Sequence, residues 1–323
     1  GLNESYSMTT DNGMSLKMKK LFYTALRWFF SFKIIPFFFT FRIANLLANP
    51  RKQKRYLFVK RHKFGFNYSG SLDSYIDWRV FFFGAYNEAE INIIKDVSNA
   101  LKEKNVFLDI GSSTGEFSIS MAHIFPTVIG VEPLKHTYNQ SLVHAKINNI
   151  SNVRFFNIAL GEKKSKTKIY LPLGENKGIA KIISQEKTTN HIEQEVLMLT
   201  ADDLLADNNI EKIEIIKLDA QGYEMNVLLG MKKILMDFKP IILFDHVHKK
   251  KNFSKILDIF PQSYKIFGLA QRKKVFGFIN ISLSRYLLST EDRSPLFDIY
   301  LAVPQDKLYI MDNEHVRKRF RFN

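Results

Sequence analysis

The sequence predicts an α/β protein built around a doubly wound, mostly parallel sheet. Its 323 residues are 46% hydrophobic and 24% charged, which is an ordinary globular composition. From about residue 81 onward, short apolar runs alternate with stretches of helical periodicity, as in successive βαβ units. A glycine-bearing loop follows the first buried run and leads directly into a helical pattern. This succession is typical of a doubly wound sheet.

The individual elements follow from local periodicity and capping residues. Strands are predicted for apolar or extended runs at 106–110, 127–131, 153–158, 167–171, 195–199, 213–218, 240–244, 264–269, 275–281 and 298–303. Helices are predicted for 115–124, 134–148, 201–206 and 223–238. The hydroxyl of Thr200 is predicted to cap the short helix that begins at residue 201.

The chain contains no cysteine. This excludes disulfide scaffolds, thiolate zinc sites, iron–sulfur clusters and cysteine nucleophiles. The chemistry must therefore depend on carboxylates, imidazoles, hydroxyls or a bound cofactor.

The positive charge is concentrated in one segment. Thirteen of the 47 basic residues and no acidic residue lie between positions 12 and 72, while the remaining 34 basic residues nearly balance the 32 acidic ones. The net charge of +15 is therefore a local feature, and we expect no nucleic-acid partner.

An aromatic run at 28–41 lies inside this basic segment. Its 14 residues are fewer than the roughly 20 that a membrane span requires, so the segment is predicted to lie in an interface as an amphipathic helix. Its polar stripe comprises Lys17, Lys20, Thr24, Arg27 and Ser31. The alternatives are a helix packed on the protein's own domain, and a cleaved signal peptide or true span.

These patterns divide the chain into three regions. Residues 1–16 are expected to be disordered or a remnant of the expression vector, and residues 17–72 to form a basic, Phe-rich, membrane-associating segment. Residues 73–323 are expected to form the α/β domain. The expected location is cytoplasmic, peripheral on the cytoplasmic face of a membrane with an anionic surface.

The loop after the first predicted strand has the features of a ligand-binding loop. Asp109 ends the strand, Gly111 and Gly115 lie in the turn, and Ser113 lies between them. Glycines allow backbone N–H groups to approach a ligand, and the helix N-terminus adds positive potential. The spacing is G-x-x-x-G rather than the dinucleotide pattern G-x-G-x-x-G, which favours a smaller polar group such as an amino-acid moiety over a pyrophosphate.

Two further residues suggest a nucleoside. Glu132 ends the second strand, where a carboxylate can accept hydrogen bonds from both hydroxyls of a ribose. Asn157 closes the third strand and either contacts the adenine edge or caps the turn. The pattern therefore predicts an adenosine-bearing cofactor.

Four motifs resemble the FkbM-type family of S-adenosylmethionine (SAM)-dependent O-methyltransferases. They are D-I-G-S-S-T-G at 109–115, E-P at 132–133, A-L-G at 159–161 and I-I-K-L-D-A-Q-G-Y-E-M-N-V-L-L-G at 215–230. The resemblance covers roughly residues 81–304. It implies a Rossmann-like class I methyltransferase fold with a doubly wound, mostly parallel seven-stranded sheet. It also implies SAM as cofactor, and a contact between Ala159 and that cofactor.

Two positions depart from the family pattern. The family has Asn where this chain has Ser113, and Glu where it has Gln221. Ser113 shortens one contact toward the methionine part of the cofactor, and Gln221 removes a charge near the expected reacting centre. A catalytically degenerate, SAM-binding membrane adaptor therefore remains an alternative.

The expected catalytic residues follow the fourth and fifth strands of the sheet. Asp219 ends the fourth strand, and the resemblance implies that it faces the methyl group. Glu224 has either a catalytic role or one in compensating a helix dipole. After the fifth strand, Asp245 lies beside His246, whose imidazole is a well-matched base near neutral pH, and His248 is a weaker candidate. A divalent cation between the two aspartates is not required by their spacing, and no metal is predicted.

The resulting functional hypothesis is methyl transfer from SAM to a hydroxyl of a glycan or glycolipid at a membrane surface. The sugar preference comes from the family's frequent acceptors and from the apolar, cationic N-terminal segment. The alternatives are O-methylation of a soluble natural product and the degenerate adaptor. The sequence leaves the oligomeric state open.

Overall fold

The computed structural model describes residues 16–31, 37–52, 55–172, 191–245, 253–276, 279–289 and 299–322. Their strands are β1 (Leu57–Arg61), β2 (Asn67–Ser71), β3 (Val106–Ile110), β4 (Thr127–Val131), β5 (Val153–Phe156), β6 (Ala159–Leu160), β7 (Ser165–Pro172), β8 (His191–Leu199), β9 (Ile215–Leu218), β10 (Ile241–Asp245), β11 (Tyr264–Phe276), β12 (Ile279–Ser289), β13 (Ile299–Pro304) and β14 (Phe320–Phe322). Their α-helices are α1 (Leu16–Ser31), α2 (Phe37–Leu47), α3 (Tyr75–Phe83), α4 (Glu88–Ala100), α5 (Glu116–Met121), α6 (Lys135–Ile147), α7 (Ala201–Asp207), α8 (Glu224–Leu229), α9 (Lys232–Asp237), α10 (Phe253–Leu257) and α11 (Glu314–Arg319).

The central sheet confirms the predicted fold. Strands β5, β4, β3, β9 and β10 lie side by side in that order and are parallel. β13 joins β10 antiparallel, and β11 joins β13 antiparallel, which completes the seven expected strands. β12 and β14 extend the sheet beyond β11, so the described sheet has nine strands.

Alternation along the central strands creates a core on each face of the sheet. Leu108 and Ile216 are fully buried in one cluster, which includes side chains of α7, α8, α9 and α10. Phe107 and Ile215 are fully buried in the other, which includes side chains of α4, α5 and α11. Because successive side chains of a strand point to opposite faces, continuous apolar runs indicate strands covered on both faces.

Most predicted elements are present, with shifts at their ends. Thr200 caps α7 as expected, since its Oγ1 accepts a hydrogen bond from Asp203 N at 2.9 Å. The single helix predicted for 223–238 is instead two helices, α8 and α9. The chain packs closely at the junction, where a Cβ on Gly230 would lie 1.9 Å from Gly161 O. The strand predicted for 264–269 is longer than expected and forms β11. The single strand predicted for 275–281 is wrong, because these residues include the end of β11 and the start of β12, which pair antiparallel.

The N-terminal helices pack against the α/β domain through one face only. Tyr23 and Leu26 of α1 are buried, and the ring centroid of Tyr23 lies 6.4 Å from that of Phe81 in α3. Arg27, which was expected on a solvated polar stripe, is half-buried, with its guanidinium 5.7 Å from the Phe81 ring centroid. The side chains of Lys17, Lys20 and Ser31 lie outside the described set.

Other large apolar side chains of these helices and of β1 are exposed. Trp28 is 66% exposed and Leu46 is 82% exposed. The other exposed apolar residues of α1, α2 and β1 are Met18, Leu21, Phe22, Phe29, Phe37, Phe38, Phe39, Leu47, Leu57 and Val59. We call this set the exposed apolar surface. Within the described part of the chain, no helix combines the length and hydropathy needed to cross a membrane.

The β1–β2 hairpin connects the N-terminal helices to the α/β domain. Asn67 N donates a 2.6 Å hydrogen bond to Asn148 Oδ1, and Ser69 N donates to His144 Nε2 at 3.1 Å. The Tyr68 hydroxyl is buried and donates to Asp77 Oδ1 at 2.7 Å. The hairpin was expected to belong to the membrane-associating segment, and these contacts fix it on α3 and α6.

Candidate functional site

A cleft opens at the carboxyl ends of β3, β4 and β9. Its walls include the loop after β3, the loop after β4 and the turn after β9. Four predicted cofactor residues line it: Gly111, Ser113, Glu132 and Ala159. In a parallel sheet, ligands bind at this edge, where loops from several strands converge. The structure therefore brings these four residues together in one cleft, and their contact with a cofactor stays a prediction.

We call the loop between β3 and α5 the cofactor loop. Gly111 allows this loop to approach β9. Its φ is +73°, and a Cβ at this position would lie 1.8 Å from Asp219 O. Asp219 N also donates to Ile110 O at 3.0 Å, so the ends of β3 and β9 are in direct contact. A side chain at residue 111 is incompatible with this arrangement because it would overlap the backbone.

We expect Gly111→Ala to destabilise the protein by about 2–4 kcal/mol, because it combines a left-handed backbone with a steric overlap. Gly65→Ala is the matched control, since φ there is +89° but the nearest atom to a Cβ is Arg61 Nη2 at 3.8 Å. Thermal unfolding of both variants separates backbone strain from overlap. Equal losses of melting temperature in the two would contradict the close approach.

Asp109 does not line the cleft; it hydrogen-bonds α5, which follows the cofactor loop. Its Oδ2 accepts hydrogen bonds from Ser118 N at 3.1 Å and Ser118 Oγ at 2.6 Å, which fixes the start of α5. Burial raises the pKa of the Asp109 carboxyl, and the nearby Lys217 ammonium opposes this.

Like Asp109, Gly115 and Asn157 are absent from the cleft lining. The Asn157 amide donates to Glu132 O and Pro133 O, both at 2.9 Å. Direct cofactor contacts for these three residues remain predictions.

Glu132 lies buried at the wall of the cleft. Its Oε2 accepts a hydrogen bond from Ser113 N at 2.7 Å, and its Oε1 accepts one from Leu134 N at 2.9 Å. Burial raises the pKa of its carboxyl, and the two backbone N–H groups counteract that effect. A carboxylate has about four lone-pair sites, so Glu132 keeps acceptor capacity for a ribose hydroxyl.

The cleft fits the polar part of SAM. The hydroxyls of Ser112 and Ser113 are buried without a hydrogen-bond partner among the described residues, and both residues line the cleft. Buried polar groups need partners, so these hydroxyls are available to a ligand's carboxylate or amine. Ser113 has φ +50°, a conformation that Asn adopts more readily, which explains the family's Asn at this position.

Lys217 is a buried cation that the sequence analysis did not single out. Its Nζ donates to Gly111 O at 2.9 Å and lies 3.7 Å from Asp109 Oδ1 and 3.8 Å from Asp219 Oδ2. Burial alone would lower the pKa of Lys217, but the two aspartates outweigh it and raise that pKa. The sequence feature that could have identified Lys217 is its position as the one charged residue within an otherwise apolar buried strand.

Asp219 lies at the rim of the cleft, and neighbouring side chains fix its position. Gln221 Nε2 donates to Asp219 Oδ1 at 2.7 Å, so the amide at this departure from the family pattern orients the carboxylate. Glu224 Oε1 accepts from Ala220 N and Gly222 N, both at 3.0 Å, and therefore holds the turn. A catalytic role for Glu224 remains a prediction.

Asp245 lies near Asp219, at the end of the neighbouring strand. Burial raises its pKa well above the ordinary value, Asp219 adds to the shift, and Lys217 opposes it. His246 and His248 lie outside the described residues, so their expected roles stay predictions. Across the described ranges, no three acidic or histidine side chains are arranged to hold a metal ion.

The remaining wall comes from segments upstream of β3, which the sequence analysis did not assign to the site. Tyr75 and Ile76 of α3 and Tyr86 and Asn87 before α4 line the cleft. The position of Tyr86 and Asn87 is fixed by Glu116, which is buried in the first turn of α5.

Glu116 joins three parts of the structure. Its carboxylate accepts from Tyr86 N at 2.8 Å and Asn87 N at 3.1 Å. Its Oε1 also lies 2.9 Å from His62 Nε2, next to the β1–β2 hairpin. One carboxylate therefore connects the cofactor loop, the upstream wall and the hairpin.

Comparison with known proteins identifies the domain. A family model described as the methyltransferase FkbM domain matches residues 109–272, half of the chain. Methyltransferase 1 of Beauveria bassiana (strain ARSEF 2860) is 22% identical over 175 residues, which cover 47% of this chain and 68% of that protein.

Solved structures give weaker similarity. A methyltransferase FkbM structure from Methylobacillus flagellatus KT is 18% identical, with a TM-score of 0.41, covering 70% of this chain and 52% of that one. This chain thus spans about half the length of that protein. A SAM-dependent methyltransferase from Agrobacterium tumefaciens is 8% identical, with a TM-score of 0.45, covering 79% and 72% of the two chains. On the strength of the family match over residues 109–272, the chain belongs to the FkbM methyltransferase family, and these residues carry its SAM-dependent methyltransferase domain.

Proposed function

We propose that the protein methylates a hydroxyl of a glycan or glycolipid at the cytoplasmic face of a membrane. The observation that carries the proposal is the exposed apolar surface, which belongs to the same packed unit as the cleft. Tyr23 of α1 contacts α3 through Phe81, and α3 supplies Tyr75 and Ile76 to the cleft wall. An enzyme held at a membrane by this surface has its cleft close to lipid-linked acceptors.

The residues of the cleft suit methyl transfer to oxygen. Bound SAM supplies a methyl group on a positively charged sulfur. Asp219, oriented by Gln221 and close to Lys217, can accept the hydrogen bond of an acceptor hydroxyl and take its proton. Positioning of the two reactants provides much of the remaining rate enhancement. The Asp219–Gln221 contact favours an active enzyme over a degenerate adaptor.

Two physical effects support membrane association. Large apolar side chains such as Trp28 and Leu46 are exposed together with basic residues, whereas soluble monomers rarely expose large contiguous apolar patches. Each cation that reaches an anionic surface contributes about 1 kcal/mol, and salt weakens this contribution. Insertion of an apolar side chain contributes about 2 kcal/mol, which salt does not screen.

We expect the full-length protein to float with anionic liposomes, and high salt to weaken this binding without abolishing it. The double variant Leu21→Ser/Trp28→Ser should bind more than tenfold more weakly, since it removes about 4 kcal/mol of apolar insertion. Met236→Ser, at an exposed position of α9, is the control and should bind like the wild type. Equal flotation of the double variant and the wild type would contradict a role for this surface.

The acceptor is tested by mass spectrometry of lipid-linked glycans from cells that produce the wild type or Asp219→Asn. We expect glycans heavier by one CH₂ group only with the wild type. An added CH₂ on a soluble metabolite would support the natural-product alternative. SAM binding without any methylated product would support the adaptor.

A further inference from the structure

A second, smaller cavity adjoins the cofactor cleft. Asn87, Phe117, Lys217 and Asp219 line both spaces, so the two are contiguous. Glu90, in the first turn of α4, lines the smaller cavity but not the cofactor cleft. The cofactor assignment above does not use this space.

Carboxyl groups converge on the smaller cavity from three elements. Glu90 comes from α4, Asp219 from the end of β9 and Asp245 from the end of β10. The ammonium of Lys217 is the cation among the residues that line this cavity. Leu243 and Phe117 close it with apolar surface, which strengthens hydrogen bonds made inside it.

This composition selects for a particular chemistry. Three carboxyls facing one ammonium cannot all remain ionised without strong repulsion, and burial raises the pKa of both Glu90 and Asp245. The cavity thus places carboxyl oxygens from three elements beside a single ammonium donor. A neutral hydroxyl, which donates one hydrogen bond and accepts others, matches such a set, whereas an anionic group does not.

We propose that this smaller cavity is the acceptor subsite, and that Glu90 and Asn87 bind the neutral, hydroxyl-bearing part of the acceptor beside Asp219. The inference deepens the proposed function, on which it rests for the reaction type. In the transfer, the acceptor oxygen forms a bond to the methyl carbon as the sulfur–methyl bond breaks. The hydroxyl proton passes to the Asp219 carboxylate, and S-adenosylhomocysteine leaves as a neutral thioether.

The test uses the full-length protein with tritiated SAM, and separate lipid and aqueous cell extracts as acceptor sources. For Glu90→Ala, we expect the extract concentration that gives half-maximal methyl transfer to rise by about tenfold or more, because the hydrogen bond made by the Glu90 carboxyl is lost. Glu90→Asp should fall between this variant and the wild type. The control is Glu88→Gln, whose carboxylate forms an exposed ion pair with Lys63, and it should behave as wild type.

Calorimetry with S-adenosylhomocysteine completes the test. Its affinity for Glu90→Ala should stay within about twofold of the wild type, because Glu90 is outside the cofactor cleft. Unchanged half-saturation in Glu90→Ala, or a parallel loss of S-adenosylhomocysteine affinity, would overturn the subsite. Labelling of an aqueous acceptor alone would contradict the glycolipid function. Half-saturation by that acceptor, compared between the Glu90 variant and the wild type, would still decide the subsite.

Discussion

Glu132→Ala is expected to weaken the binding of SAM by about ten- to a hundredfold for each ribose hydrogen bond that the carboxylate makes. The loss should exceed that of a simple contact, because Glu132 also anchors the cofactor loop. Without the carboxylate, Ser113 N and Leu134 N lose their acceptors at 2.7 and 2.9 Å. Titration calorimetry with S-adenosylhomocysteine measures the effect directly.

Two further variants separate ligand binding from loop support. Glu132→Gln keeps an acceptor oxygen but loses the negative charge, so its affinity should lie between those of the wild type and Glu132→Ala. Glu195→Ala removes an exposed carboxylate that pairs with Lys166 and should leave affinity unchanged. Full affinity in Glu132→Ala would remove this residue from the cofactor site.

Asp219→Asn is expected to lower turnover by a factor of about 10² while SAM affinity stays within a few-fold. The carboxylate lies at the boundary between the cofactor cleft and the acceptor subsite, and Gln221 Nε2 fixes its orientation. An amide of the same shape cannot accept the hydroxyl proton. Initial rates with saturating SAM, measured alongside S-adenosylhomocysteine titrations, distinguish a chemical defect from a binding defect.

The control for this substitution is Asp207→Asn, which changes an exposed aspartate at the end of α7. It should leave both turnover and affinity unchanged. If Asp219→Asn were as active as this control, proton acceptance would have to be assigned to another group in the cavity, and Asp245 would be the next residue to replace.

The sheet and the cofactor loop could be predicted because local patterns determine them. β3 and β4 have the predicted bounds, since each is a short apolar run bordered by turn residues. Glu132 was located by its distance along the chain from the glycine loop. In a parallel sheet, that spacing places a residue at a known edge.

The upstream wall could not be predicted in the same way. Asn87 and Glu90 reach the site through tertiary packing, because Glu116 holds the loop before α4 against α5. No motif or periodicity reports such a contact. Lys217 was hidden for a different reason: a lysine in an apolar strand has an evident partner only once β3 and the turn after β9 are in place.

The N-terminal segment was predicted in part. Its helical character and apolar excess were clear from the sequence, but the partition between a packed face and an exposed face was not. Tyr23 and Leu26 pack inward, whereas Trp28 and Leu46 face outward. The aromatic residues on both faces have similar hydropathy, so only the contacts with α3 distinguish them.

The position of the upstream wall has a consequence for how such proteins diversify. The family match covers residues 109–272, which contain the cofactor loop, whereas Tyr75, Tyr86, Asn87 and Glu90 precede it. Selection for a new acceptor can therefore act on residues 75–90 while the region that contains the cofactor loop stays constant. Classification by the matched region alone will group proteins by their common methyl donor, and we expect members of one group to differ in the molecules they modify.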